Sequence, residues 1–300
     1  MSRRKFTWTN NQFDKLNKAI EVLNDLAQYR PLTLRQVYYQ LVGKGYIKNN
    51  KSQYGMLSKL LKNARINGYI PWECIEDRSR SCHVLTGWDN SRNYITDVTE
   101  RFLTDYKRDF LQTQEKYIEI WIEKDALSTL FTKAAGPYGV SVVVCRGFSS
   151  VSFLNEYKTR ILEHSDKLPV MLYFGDFDPS GVEMLKAMEE TLSDELGVSN
   201  ILFKRIALEV SDIIEYQLPH SPEALKKSDT RAAKHIAQYG QLAVELDALR
   251  PDILEQKIRV AIENEIDLGL YNIEQEKQAA ELDKLNIIKK EVENTVNRLC

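Results

Sequence analysis

No apolar run in this sequence approaches the roughly 20 residues needed to cross a bilayer, so no membrane partner is expected. The opening stretch, MSRRKFTWTNNQ, is basic but lacks the apolar segment of a secretory signal. The four cysteines (Cys74, Cys82, Cys145 and Cys300) form no C-x-x-C pair, which points to reduced thiols in the cytoplasm rather than a disulfide framework. Cys74, Cys82 and His83 lack a fourth ligand at the usual zinc spacing. Internal repeats and low-complexity segments are also missing. What remains is 300 residues of ordinary globular composition, 43% hydrophobic and 28% charged, enough chain for two domains with separate cores.

The net charge of −2 hides a division. Residues 1–92 carry 16 Lys and Arg against 7 Asp and Glu, and the rest of the chain 25 against 36. A basic first third on an acidic body suggests that the first third meets a polyanion. Residues 10–29 have apolar residues at helical spacing: Phe13, Leu16, Ile20, Leu23 and Ala27. Pro31 ends that helix and Thr33 can cap the next. LRQVYYQLV, a turn containing GKGYIKNN, and QYGMLSKLLKNARINGYI then read as helix, turn, helix, followed by the strand-like GYIPWECIED. That order matches a helix-turn-helix with a wing. A polar helical connector follows over 89–115.

From about residue 116 the pattern changes. YIEIWIEK alternates as a strand, while GVSVVVC and PVMLYFG are short continuous apolar runs suited to buried parallel strands. NILFKRIAL is a fourth candidate. Helical segments near 125–135, 150–164 and 181–196 fall between them, so a parallel α/β sheet is expected. Residues 242–300 read mostly as helix. The charged tail beyond 266 suits either a partner-binding helix or one packed on its own body.

The strand PVMLYFG runs into GDFDPSG. Alternation lets Asp176 and Asp178 point the same way at the strand's end, where ligands collect in open α/β sheets. Glu123 ends the strand YIEIWI. Three carboxylates in one crevice would repel one another and protonate, a conflict that a hard cation such as Mg²⁺ (or Mn²⁺) removes. Salt bridges and helix caps are the bland alternatives for these acids.

In LRQVYYQLV, at about 100° per residue, Leu34, Val37, Tyr38 and Leu41 share one face. Tyr39 and Arg35 fall on another, one turn apart. Tyr38 is therefore expected to pack and Tyr39 to be exposed. A guanidinium beside a phenol favours the phenolate and can grip a phosphate, and an activated tyrosine is a covalent nucleophile.

The acid after one parallel strand and D-x-D-x-x-G after a later one resemble the Toprim domain of topoisomerases, primases and related nucleases. Joined to the Arg-x-x-Tyr-Tyr helix, they resemble the A subunit of type IIB topoisomerases (topoisomerase VI) and the related meiotic double-strand-break transesterase. CRGFSSVSFL, RIALEVSDIIEYQLP and VELDALRPDILEQKIRVAI look like compact A-type relatives. The resemblance spans about residues 31–265. It implies a winged-helix DNA-binding domain (31–88) and a Toprim domain (116–265), to which the residue pattern adds an N-terminal helix (1–30), the connector (89–115) and a C-terminal helix (266–300). It further implies Tyr39 as nucleophile assisted by Arg35, Glu123 as general acid/base, and Glu123, Asp176 and Asp178 as the Mg²⁺ site. Lys124 follows the Glu as in the EKDA form of one branch. The family's site is thought to form between two protomers, so a homodimer on double-stranded DNA in the nucleoid is implied. The chain is shorter than a full A subunit and has no recognisable ATPase, so strand passage would need a separate B-type subunit.

Lys59, Lys62 and Arg65 recur at three-residue spacing opposite Leu57, Leu60, Leu61 and Ala64, a basic stripe suited to the major groove. Lys44, Lys48 and Lys51 in the turn, with Arg78 and Arg80 in the wing, would meet phosphates without reading sequence. Three functions are therefore carried forward: a DNA-cleaving transesterase, a hydrolytic Toprim nuclease of the plasmid-defence type with Tyr39 a bystander, and a non-catalytic winged-helix DNA-binding protein.

Overall fold

The structure is a computed structural model that describes residues 8–76, 87–147, 149–220, 225 and 231–299. The first helix, α1 (Asn10–Asp25), opens with a capping box between Thr9 and Gln12 and buries Leu16, Ala19, Val22 and Leu23. Thr33 of the short strand β1 (Leu32–Thr33) caps α2 (Leu34–Gly43). Its hydroxyl accepts from Gln36 N–H at 3.2 Å, and Gln36 Oε1 accepts from Thr33 N–H at 2.8 Å. After the turn, Asn50 caps α3 (Lys51–Ile66), which buries Leu57, Leu60, Leu61 and Ala64 as its spacing predicts. Only two residues of the strand-like stretch that follows form a strand, β2 (Ile75–Glu76), and it pairs parallel with β1. Arg78 and Arg80 lie outside the described residues, as do Cys82, His83 and Cys300. Cys74 and Cys145 are buried free thiols.

The connector contains α4 (Ser91–Thr104). Beyond it stands a four-stranded, wholly parallel sheet of β3 (Lys116–Ile122), β4 (Ser141–Val144), β5 (Leu168–Phe174) and β6 (Leu202–Ala207), in the order β4-β3-β5-β6. Crossovers run through α5 (Ser128–Ala135), α6 (Val151–Glu163) and α7 (Pro179–Glu190). Then come α8 (Val210–Glu215), α9 (Ala232–Tyr239), α10 (Pro251–Glu263) and the long α11 (Leu268–Leu299). Part of α11 packs against α4, and Arg108, just beyond α4, pairs with Glu274 and with Glu281 at 2.8 Å. Among the described residues no helix is long and apolar enough to cross a membrane.

Strand alternation splits the core. Ile118, Ile120 and Ile122 of β3, opposite Val170, Leu172 and Phe174 of β5, face α5 and α10. Trp121, Met171 and Tyr173 point the other way, onto α6 and α7. The first core is continuous with the interior of α1–α3: Leu16, Val37, Tyr38 and Tyr39 belong to one cluster with Leu246, Leu254 and the sheet isoleucines. The basic first third is therefore packed onto the sheet.

One carboxylate lies inside the second core. Glu119 is 0% exposed yet fully met: Arg160 donates to its two oxygens at 2.6 and 3.0 Å, Tyr117 Oη at 2.5 Å and Trp121 Nε1 at 2.9 Å. Removing it strands the donors that surround it. Arg160 keeps 33% of its side chain in water, which softens the loss. Glu119→Ala is expected to lower stability by about 3 kcal/mol in urea unfolding followed by circular dichroism; a change under about 1 kcal/mol would show that the cluster contributes little.

Candidate active site

Backbone pairing brings three segments together at the carboxyl edge of the sheet. Glu123 N–H donates to Phe174 O at 3.0 Å, extending the β3–β5 pairing by one residue. Phe177 and Val244 exchange both backbone hydrogen bonds at 2.9 Å, which lays the 244–248 segment against the loop after β5. Its 3-10 turn, Leu246–Ala248, packs on α2. Arg205 of β6 holds the same loop from beneath. Its guanidinium donates to the carbonyls of Leu208 (2.8 Å), Gly181 (2.9 Å), Gly175 (3.2 Å) and Asp176 (2.6 Å). Gly181 accounts for the glycine in D-x-D-x-x-G: a Cβ there would stand 2.3 Å from Asp176 O and 3.3 Å from Glu123 Oε2.

Each of the three predicted acids gives one oxygen to the protein. Glu123 Oε2 accepts from Asp176 N–H at 3.0 Å. Asp176 Oδ1 accepts from Leu246 N–H at 2.8 Å and from Lys124 Nζ at 2.9 Å. Asp178 Oδ1 caps α7, accepting from Ser180 and Gly181 N–H at 2.9 and 2.7 Å, so the helix-cap role holds for this residue. The second oxygen of each acid accepts no hydrogen bond from the described residues. Burial pushes the Glu123 carboxyl upward, opposed by the Asp176 N–H and Lys124 and reinforced by Asp178. Burial raises Asp176 to about 7; Lys124 opposes the rise and Glu123 adds to it.

Lys124 is the hub. Its ammonium touches Asp176 Oδ1 (2.9 Å), Glu245 Oε2 (2.9 Å) and Asp247 Oδ2 (2.8 Å). Burial disfavours its charge, but these carboxylates outweigh that and hold it well above the ordinary lysine value. Glu245 carries the link onward to α2: Arg35 Nη1 lies 2.8 Å from its Oε2, and the Tyr39 hydroxyl hydrogen-bonds its carboxylate. Burial pushes against the Glu245 charge, yet Lys124 and Arg35 hold its pKa below the usual carboxylate range. Asp247 is 0% exposed, and its Oδ1 has no hydrogen-bond partner.

The helical wheel is right about the apolar face of α2 and wrong about the other. Tyr39, expected to be exposed, is only 4% accessible, as is Tyr38. The second face is covered by the 246–248 turn, which arrives from more than two hundred residues away and leaves no mark on local periodicity. Arg35 and Tyr39 do share that face, and they meet at Glu245.

The basic residues divide. Lys44 is paired with Glu21 (2.8 Å) and Asp25 (2.6 Å) of α1. Lys48, Lys51, Lys59 and Lys62 are exposed. Arg65 stacks on Trp72 with 5.1 Å to the ring centroid and donates to Ile75 O at 3.2 Å. A cleft of about 650 Å³ opens beside this contact, between α2, α3 and the segment after β3; Arg35, Lys62, Arg65, Lys124 and Asp247 line it.

Glu245, Asp247 and Arg205 were not singled out from the sequence. E-x-D in VELDALRPD, just before a helix that starts with proline, has the spacing of D-x-D before Pro179, a signal available for the first two. Arg205, alternating in a strand, carries none. Five carboxylates (Glu123, Asp176, Asp178, Glu245, Asp247) gather near three cations (Arg35, Lys124, Arg205). The surplus of two negative charges and the free second oxygens suit a hard divalent ion. As they stand, no three His, Cys, Asp or Glu side chains among the described residues are placed to hold a metal; magnesium needs only one or two carboxylates, with water and phosphate completing its shell.

In the fold Asp176 keeps a proton that the unfolded chain releases between pH 3.8 and about 7, so its stabilising contribution is complete below pH 3.8 and is lost as pH rises through about 7. Asp176→Asn removes this dependence. From about pH 5 to about 8 the wild type is expected to lose roughly 2.6 kcal/mol relative to the variant, at roughly 1.4 kcal/mol per pKa unit. Parallel urea curves for the two proteins across that range would exclude the raised value.

No protein-family model matches this chain, and no curated protein matches it.

Proposed function

We propose that this protein is a divalent-cation-dependent DNA-cleaving enzyme in which Tyr39 forms a covalent phosphotyrosyl link. The observation that carries the reading is the chain of contacts Tyr39–Glu245–Lys124–Asp176, which ties a phenol on α2 to the acids at the sheet edge. The Arg-x-x-Tyr-Tyr and D-x-D-x-x-G motifs, which resemble those of topoisomerase VI A subunits, support it. When bound, Mg²⁺ or Mn²⁺ would neutralise charge on the phosphoryl oxygens. Asp176 and Glu123 would hold that ion through their free oxygens, with Asp178 beside them.

In the reaction the Tyr39 oxygen attacks phosphorus and its proton passes to water. The phosphorus–oxygen bond to one deoxyribose breaks, and the released sugar oxygen takes up a proton. Glu123 is suited to carry that proton because burial raises its pKa above the ordinary glutamate value. Arg35 and Lys124 orient the phosphate. A homodimer would cut both strands, and a separate ATPase subunit would be needed for strand passage. Hydrolysis by water is the second reading, favoured by the burial of Tyr39; it uses the same acids.

Incubating supercoiled plasmid with protein and Mg²⁺ or Mn²⁺, then running denaturing gels with and without protease, separates the readings. Protein-linked DNA is expected from the wild type and a drop of about 100-fold or more from Tyr39→Phe. Cleavage retained in Tyr39→Phe with no adduct in either protein would establish hydrolysis. Binding of duplex without any cleavage would leave a DNA-binding protein.

A further inference from the structure

Glu245 holds three groups that the proposed reaction needs free: the guanidinium of Arg35 at 2.8 Å, the ammonium of Lys124 at 2.9 Å and the hydroxyl of Tyr39. Its position is not that of a sealed core carboxylate. The side chains of Arg35 and Glu245 are 44% and 23% exposed, and Arg35 and Lys124 both line the 650 Å³ cleft. Lys62 and Arg65 line the same cleft and make no ion pair among the described residues. Glu76, Asp125 and Asp247 supply negative charge along the same wall.

We propose that this cleft seats a DNA phosphodiester and that Glu245 is its built-in competitor, occupying Arg35, Lys124 and the Tyr39 phenol until a phosphate takes its place. The proposal rests on the DNA-cleaving reading above and adds how that site is kept closed. A carboxylate and a phosphodiester offer a guanidinium the same fork of acceptor oxygens, so one can replace the other on Arg35 without moving α2. The phosphate brings a gain that Glu245 lacks, because its neighbours along the backbone can meet Lys62 and Arg65 as well. A phenol that donates its proton to a carboxylate beneath the 246–248 turn cannot reach phosphorus. The exchange releases it only where a phosphate is already seated, which confines a reactive tyrosine to the DNA-bound state.

Binding of a fluorescent DNA duplex, measured by anisotropy in chelator and at one fixed salt concentration, tests this apart from cleavage, since phosphate contacts weaken with salt. Glu245→Gln is expected to bind about tenfold tighter than wild type, the lower end of what a charge-assisted hydrogen bond is worth. Arg35→Ala is expected to bind more weakly, and Glu245→Gln should add little in that background. Nitration of Tyr39 by tetranitromethane, read by mass spectrometry without DNA, should be slow in wild type and rapid in Glu245→Gln. Unchanged or weaker binding by a Glu245→Gln protein of native circular dichroism and melting temperature overturns the competitor role, as does equal protection of Tyr39 in both proteins. If Glu245→Gln does not fold, Glu245→Asp, which keeps the charge but shortens its reach, is expected to shift both readouts in the same direction, and no shift overturns the proposal. Failure of wild type and variants alike to bind duplex overturns the DNA reading and this inference with it; duplex binding without adduct formation leaves the inference standing on its own data.

Discussion

The arrangement depends on one buried ammonium. Lys124 draws Asp176, Glu245 and Asp247 to a single point, and those residues belong to the loop after β5 and to a turn near residue 246. Without a cation there, burial would force the carboxylates to protonate or move apart. With it, Glu245 remains anionic and can reach across to Arg35 and Tyr39. The contact between the basic first third and the acidic body is thus electrostatic where Arg35 meets Glu245 and apolar where α1–α3 share a core with the sheet.

The hub leaves charge unbalanced, and that imbalance gives the site its chemical character. Asp176 sits against Lys124 and is still raised to about 7, because desolvation and the neighbouring Glu123 exceed what one shared ammonium can supply. The Leu246 N–H relieves it only in part. Arg205 is close and its charge favours the Glu123 carboxylate, but its hydrogen bonds go to backbone carbonyls, so it sets the shape of the loop and forms no ion pair with the acids. Gly181 serves the same end by letting the start of α7 approach Asp176 O and Glu123. The loop is closely hydrogen-bonded in backbone and under-neutralised in side chains, a combination suited to receiving a cation or a proton.

Much of the fold is legible in the chain because it rests on local rules. Alternation in YIEIWIEK and the apolar runs of GVSVVVC and PVMLYFG identify β3, β4 and β5, and Thr33 followed by Gln36 marks the start of α2. The basic face of α3 follows from the spacing of Lys59 and Lys62 against Leu57, Leu60 and Leu61. Glu123, Asp176 and Asp178 can be picked out because strand ends and helix starts have recognisable grammar. Tyr39 was misjudged for an equally physical reason: a wheel reports which side of a helix is apolar, not what covers the other side.

By itself, then, the sequence determined which segments become helices and parallel strands, that the acids would cluster at strand ends, and that positive charge would gather on the first third. Period, capping and composition act over a few residues, and those effects are written locally. Only the tertiary structure decided that Lys124 would be shared among Asp176, Glu245 and Asp247, that Tyr39 would lie beneath the 246–248 turn, and that Lys44 would be paired with α1. Each of these is a choice of partner between residues distant along the chain. The first two follow from where the backbone pairing of Phe177 with Val244 places the turn, and the third from the packing of α1 on α2, not from any property of the residues taken singly.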